Sequence, residues 1–435
     1  MAELPRRPLN DIGFEKTDGG LGRTTGKRDD AISALLFGGD GNRQLFEDMT
    51  IGHPSRYRFD ILVEDKVLAA RLDSQDGLAG IGIIRTEPGE GSGHDGALSE
   101  KEATANTLHY HITEYFRLND GAGPLYVGVF NVDENVDIAI AAIQRYADGR
   151  IRQAGVIMDD VCSYSKKIVA ACKDMEDSHM PLSVVGTGMK LCKVETLEGL
   201  ADNVLTAKQD VSGSSHSCNL SLLVGCDLDA TLAAGLTDGN GENRAILGCV
   251  GACIGAVSKA KVHESIAWVG QFPLGLKEPG VGVTAMRNVT TEAMEQLNGC
   301  RAIFVRTHVG VADNYFNDSH TLAPETSDYA YIENVRTIDK ACRGVRSKLL
   351  PYLNGPLSVD ASTGKLSADT AAFLETKAGE AVEEMEKAGE LCGYKVTIDP
   401  DQNVLATSEV EVVIQNVPMG VMRKVNVKIG FTTQV

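Results

Sequence analysis

The residues best placed to do chemistry are Asp227-Leu228-Asp229-Ala230-Thr231, directly after the apolar run at 220–225. A carboxylate at the C-terminal end of a strand is what an aspartyl-phosphate route needs, together with a magnesium ion. Asp313 and Asp318, which follow a second apolar run at 301–311, would supply the metal pair, with Lys261 or Lys277 as the cation. The same pattern has a plainer meaning, because Asp after a strand is a common helix N-cap.

The pair resembles the nucleophile motif of haloacid-dehalogenase-like phosphatases, in which the first Asp accepts the phosphoryl group and the second is the acid/base. That family places the motif on its first strand, whereas here four strand–helix units precede it. Its Ser/Thr motif is also missing, since 266–269 runs into Gly270 and Gln271. A Mg-dependent phosphatase using Asp227 and Asp229 is therefore the alternative function, not the leading one.

Other candidates are weaker. In Gly20-Leu21-Gly22-Arg23-Thr24-Thr25-Gly26-Lys27-Arg28 the glycine spacing is one residue too long for a phosphate loop. Arg28 replaces the Ser/Thr that would hold magnesium, and no strand precedes the stretch. Gly186-Thr187-Gly188 lacks the third glycine of a dinucleotide fingerprint. His109 and His111, two apart on a helix, point to different faces. Cys249 and Cys253 could share a face, but no companion pair has zinc spacing, so they read as small core residues. The sequence thus gives no catalytic, cofactor-binding or metal site, and the expectation is a protein that is not an enzyme and needs no cofactor.

The elements that would position these residues follow from hydrophobic periodicity. Strands are expected at 57–63, 78–85, 125–130, 154–158, 182–185, 219–225, 265–269 and 301–311. Helices are expected at 29–39, 99–118 (opened by the capping box Ser99-Glu100-Lys101-Glu102), 135–146, 163–175, 197–208 and 243–259. Short apolar runs alternating with helices predict an α/β fold, a mainly parallel sheet with helices on its faces. Composition shifts near Leu322. Beyond it lie an amphipathic helix with an outer basic face (Arg336, Lys340, Arg343, Arg346, Lys348) and a second with an acidic one (Glu375, Glu380, Glu383, Glu384, Glu386, Glu390). A β segment closes the chain, making this end α+β. In the expected helix at 243–259, the small residues Gly248, Gly251, Ala252 and Gly255 suit close backbone approach.

The division expected is an N-terminal extended arm (1–25), a small β-containing segment (26–96), an α/β domain (97–321), a C-terminal helix-and-sheet domain (322–420) and a C-terminal arm strand (421–435). The first arm is anchored only by Leu9, Ile12 and Phe14. In the last, Val425, Val427, Ile429 and Phe431 alternate with Lys424, Asn426 and Lys428, the period of a strand with one apolar face. Such a strand needs a partner. It closes a hairpin of its own sheet, or it adds to the sheet of a neighbouring molecule.

Composition narrows the class. The chain has 435 residues, 43% of them hydrophobic, and a net charge of −18, which argues against a nucleic-acid binder. Ten scattered cysteines suggest reduced thiols in a cytoplasm. No apolar run follows Arg6 and Arg7, so no secretory signal is read, and the run at 245–257 is too short to span a bilayer.

The C-terminal third carries Gly310 with Asn314-Tyr315-Phe316-Asn317-Asp318, then Arg336-Thr337-Ile338-Asp339-Lys340-Ala341, then Gly393-Tyr394 and the closing β segment. In order and spacing, 245–435 resembles the tail sheath proteins of contractile phage tails and related injection systems, nearest a compact Mu-like prophage type. Val262-His263-Glu264-Ser265-Ile266 is similar to that family's middle region. The resemblance implies a structural subunit that polymerises with itself as a metastable helical sleeve round an inner tail tube, and contracts without consuming nucleotide. The implied partners are the tube, baseplate and tail terminator proteins, with assembly in a bacterial cytoplasm and no membrane insertion. It also implies subunit-linking arms, here Leu9, Ile12 and Phe14 at one end and Val425, Val427, Ile429 and Phe431 at the other. One charged helix would face the tube, with Arg336, Lys340 and Arg343 or Glu380, Glu383 and Glu384 as candidates.

Overall fold

The computed structural model describes residues 29–49, 59–64, 66–87, 89–93, 98–194, 196–233 and 246–432. A seven-stranded sheet runs through the larger part, in the order β2-β3-β4-β1-β5-β6-β7. Its strands are β1 (Ser33–Phe37), β2 (Asp60–Leu62), β3 (Val67–Leu72), β4 (Leu125–Phe130), β5 (Gln153–Met158), β6 (Ser183–Gly188) and β7 (Leu220–Leu222). From β4 to β7 neighbours are parallel; β3 joins β4, and β2 joins β3, antiparallel.

The expected α/β architecture is present, with two local corrections at its start. Residues 29–39, expected as a helix, form a single 3-10 turn at Asp29–Ala31 and then the central strand β1. Every residue of β1 is buried, so Ser33-Ala34-Leu35-Leu36-Phe37 shows no alternation, and periodicity alone does not tell such a run from a buried helix. Residues 78–85, expected as a strand, hold a helical turn at Gly77–Gly80, and the strand is β3 instead. The small β-containing segment expected at 26–96 contributes β1, β2 and β3 to this same sheet.

Helices α1 (Glu100–Asn119) and α5 (Val250–Lys259) cover one face, while α2 (Val136–Tyr146), α3 (Ser165–Asp177) and α4 (Leu197–Val211) cover the other. The capping box holds: the Glu102 amide donates to Ser99 Oγ at 3.4 Å, and the Ser99 amide to Glu102 Oε2 at 2.8 Å. Residues Ala105, Leu108, Ile112 and Tyr115 form the buried stripe of α1. Against it, α5 comes unusually close. A Cβ at Gly251 would overlap the His111 backbone, and one at Gly255 would sit 2.7 Å from the Tyr115 carbonyl oxygen. Close approach is what the small residues permit.

Past β7 the strands are short: β8 (Gly225–Asp227), β9 (Pro279–Val281), β10 (Thr284–Ala285), β11 (Val305–Thr307) and β12 (Asn314–Phe316), with α6 (Thr291–Gly299) between β10 and β11. The expected strand at 219–225 is thus split in two. The one at 301–311 shrinks to an isolated bridge, Leu223 to Ile303, followed by β11. Residues 265–269 are turns, because Ile266 is buried while Trp268 and Val269 face outward, a spacing no strand requires.

The C-terminal part is a helical pair, α7 (Ile332–Leu349) and α8 (Ala368–Lys387), packed on the antiparallel hairpin β13 (Leu391–Thr397) and β14 (Val413–Pro418). Ala341, Val382, Met385 and Leu391 are buried at its centre with Tyr394, Val396 and Ile414 against them.

Candidate assembly surfaces

Asp227 ends β8 and starts the short helix Leu228–Ala233. Its Oδ1 accepts the Ala230 amide at 3.0 Å, and its Oδ2 accepts the Tyr110 hydroxyl at 3.1 Å. This is the N-cap arrangement. Burial raises the Asp227 pKa, against the pull of those hydrogen bonds. Asp229 pairs with Lys277 at 3.2 Å. The two carboxylates line a cavity of about 350 Å³ with Tyr110, Glu114, Arg117 and Lys277. Asp313 and Asp318 are not among its walls; Asp313 is exposed and Asp318 is bound by Arg423. The constellation a phosphoryl transfer would need is therefore not assembled, and no group of three His, Cys, Asp or Glu among the described residues is placed to hold a metal.

The other chemical candidates are structural where they are described. His111 is buried and accepts the Gly251 amide at Nδ1, 3.3 Å away. The Nδ1 of His109 lies 3.4 Å from the Thr113 hydroxyl. Cys249 and Cys253 are buried thiols of the core. The glycine-rich stretch 20–28, like Leu9, Ile12 and Phe14, lies outside the described residues.

The basic helix corrects an expectation. Three of its cations do not form an outer face but hold the chain's own N-terminal region. The buried guanidinium of Arg336 donates to the carbonyls of Ala260, Lys261 and Asp30 at 3.2, 3.1 and 3.4 Å. The Asp30 carboxylate takes Lys340 at 2.9 Å and Arg343 at 2.8 Å. Burial would raise the Asp30 pKa, but Lys340 and Arg343 outweigh it and hold the carboxyl below its usual range. Arg152 adds an ion pair to Asp29 at 2.6 Å. Helical periodicity puts one stripe of α7 inward; it cannot show that a second layer waits beyond the charged stripe. Glu390, expected on the acidic face of the next helix, is also buried and receives Lys340 at 2.7 Å. Of the acidic candidates, Glu380 meets Lys377 and Lys348, Glu383 meets Lys387, and Glu384 meets Lys348, all near the surface.

The chain's end divides in two. Val413–Pro418 closes the local hairpin, with Val396 opposite Ile414 and Tyr394 opposite Asn416. The hairpin reading of the closing β segment thus holds for its first half, Val413–Pro418. From Met419 to Thr432 no residue is in a strand. Val425, Val427, Ile429 and Phe431 are 61, 76, 95 and 111% exposed. The apolar members of this alternation are thus left in solvent.

Arg423 ties this segment down, a residue that periodicity does not single out. The Arg423 guanidinium lies 3.4 Å from the centre of the Tyr331 ring. Its Nε is 3.1 Å from both Asp318 carboxylate oxygens, and its terminal nitrogen donates to Glu333. Glu333 is buried on the first turn of α7 and also accepts the Ser319 hydroxyl. Burial pushes the Glu333 carboxyl up while Arg423 pulls it back. On the same cluster, Arg301 is 5.1 Å from the Tyr331 ring and His320 5.7 Å. Burial and the nearby guanidinium groups hold His320 down at about 4. The only signal in the sequence is an arginine at the point where apolar alternation begins.

Comparison with known proteins adds the following. No curated protein matches the chain. Among solved structures, the contracted helical sheath of the anti-feeding prophage is 15% identical, with 99% of this chain and 100% of that chain covered and a TM-score of 0.56. The contracted sheath complex of the extracellular contractile injection system PVC is 14% identical, covering 100% and 98%, with a TM-score of 0.56. A sheath tail protein from Listeria innocua aligns over 65% of this chain and 60% of its own at 11% identity and a TM-score of 0.37, and nothing rests on it. The first two likenesses run end to end and establish a shared fold. Residues 93–320 match the family described as DUF2586, N-terminal domain, and residues 328–435 its C-terminal domain. Since the first match alone spans more than half of the chain and the second follows it in order, this protein belongs to the DUF2586 family.

Proposed function

We propose that the chain is the structural subunit of a contractile sheath, polymerising with itself into a helical sleeve round an inner tube and shortening to drive that tube forward. The observation that carries this is the exposed arm beyond Arg423, joined to a fold shared over its whole length with two sheath subunits. A strand with one apolar face gains both main-chain hydrogen bonds and apolar burial by adding to a neighbour's sheet. The two-stranded sheet of β13 and β14 has a free edge on each side among the described residues, a natural receiver. The role is non-enzymatic: the work of contraction comes from better-packed contacts between subunits, summed over the lattice. The protein acts in a tail or tail-like particle assembled in a bacterial cytoplasm, with baseplate and terminator proteins at its ends. No helix among the described residues is long and apolar enough to cross a membrane.

For the tube, the candidate facing helix is α8, since Arg336, Lys340 and Arg343 of α7 hold Asp30; its Glu384 is exposed and its Glu383 half-buried. Reversing both charges should weaken tube docking and alter its salt dependence. The test of the whole reading is negative-stain microscopy of the purified chain and of a variant ending at Lys424. Tubes from the first and folded monomers from the second are expected. Tubes from both, or compact particles from the first at every concentration, would refute it.

A further inference from the structure

The carboxyl ends of three neighbouring parallel strands open on a cavity of about 170 Å³. Phe37 of β1, Met158 of β5 and Thr187 of β6 line it from the sheet, and Thr107, Leu108 and His111 line it from α1. Topology puts it there. The path from β1 to β4 carries α1 on one face, and the path from β4 past β1 to β5 carries α2 on the other. Where successive connections change face, open α/β sheets leave a crevice outside the carboxyl ends of their strands, and ligands bind in it. The hydroxyls on this wall are occupied: Thr107 donates to the Ala103 carbonyl at 3.1 Å, and Thr187 to the Leu223 carbonyl at 2.9 Å. His111 is different. Its side chain is buried, and its Nδ1 accepts the Gly251 amide at 3.3 Å, so the neutral ring carries its proton on Nε2. No acceptor for that proton lies among the described residues. Burial holds the ring neutral by lowering its pKa to about 3.

We infer that this cavity is a binding site for a compact, uncharged, single-ring molecule that presents one hydrogen-bond acceptor to His111 Nε2. Size sets the first limit, since an apolar protein cavity of about 150 Å³ takes up benzene. The walls set the second. Phe37, Leu108, Met158 and Leu247 are apolar and buried, and the Phe37 ring lies 5.8 Å from that of His111. A charged ligand would lose its hydration there without a counter-charge on the wall, and the exposed Asp159 at the rim repels anions. His111 sets the third. A buried donor left unmet is costly, so a ligand that satisfies it is favoured over one of equal shape that does not. The site does not depend on polymerisation.

Saturation-transfer NMR on the full chain tests this with two probes of one shape. Benzonitrile carries an acceptor nitrogen; phenylacetylene replaces it with C–H. Titration should show benzonitrile binding roughly tenfold tighter, the worth of one hydrogen bond to a buried donor. Thr107→Leu fills the cavity from α1 and should weaken both probes at least tenfold. His111→Phe keeps a ring and removes the donor, so the two probes should then bind alike. Melting curves confirm that the variants fold. Should His111→Phe fail to fold, because the Gly251 amide loses its acceptor, the probe pair on the unaltered chain and Thr107→Leu still decide. Equal affinity of the unaltered chain for both probes would overturn the site. So would the absence of saturation transfer to either, or binding left unchanged in Thr107→Leu.

Discussion

Replacing Val425, Val427, Ile429 and Phe431 together by Ser separates folding from assembly. In the monomer these side chains are 61, 76, 95 and 111% exposed, so the substitution touches almost no buried surface. Its effect on unfolding free energy should stay within about 0.5 kcal/mol, as for surface changes generally. On the proposed sheath reading, the arm buries one face against a neighbour in the filament. Full burial of such side chains is worth about 1.5–3 kcal/mol each, and half burial of four gives roughly 3–6 kcal/mol per subunit contact. At 1.4 kcal/mol per factor of ten, the critical concentration for polymerisation should rise about a hundredfold to ten-thousandfold. Sedimentation of filaments over a concentration series measures that, and urea denaturation of the monomer measures the other half. An unchanged critical concentration would refute the reasoning. So would a monomer destabilised by several kcal/mol, since the arm would then be packed on its own subunit.

Three further outcomes follow from the body of the fold. Gly251→Ala should destabilise by about 1–3 kcal/mol, because the added methyl meets the rigid His111 backbone and not a movable side chain; urea unfolding reads it. Asp227→Ala should cost about 1 kcal/mol through the lost cap while Asp227→Asn costs a few tenths, a ranking that a catalytic carboxylate would not show in stability and that melting curves resolve. His320 titrates at about 4 in the fold, and near 6.5 in the unfolded chain. As pH falls the unfolded chain binds the proton first, so the stability His320 supplies is complete above about 6.5 and is lost on descent towards 4. Urea midpoints at pH 7.5, 5.5 and 4.5 should show this slope, and His320→Gln should flatten it.

Much of the central sheet was legible because β4, β5 and β6 are short apolar runs separated by helices whose stripes and caps are written locally, as Ser99 and Glu102 show. What escaped was non-local. The central strand β1 is buried on both faces and carries no period, and its acidic neighbours Asp29 and Asp30 imitate a helix start. Charged stripes misled for the same reason. Arg336 and Lys340 sit where an isolated helix would show them to water, but the N-terminal region lies across them. The C-terminal arm was readable as an apolar-faced strand because alternation survives whether or not a partner is present. Its anchor was not, since the Asp318, Tyr331 and Glu333 that receive Arg423 lie about a hundred residues earlier in the chain.

The grip on Arg423 also acts as a ruler. Lys424 to Thr432 is nine residues of chain without secondary structure. Stretched, nine residues reach about 30 Å. On the proposed sheath reading, neighbours joined through this stretch could slide and rotate past one another within that radius but not part beyond it. Such a lattice would then carry, in its covalent chain, a limit on how far neighbouring subunits can separate at either end of a stroke.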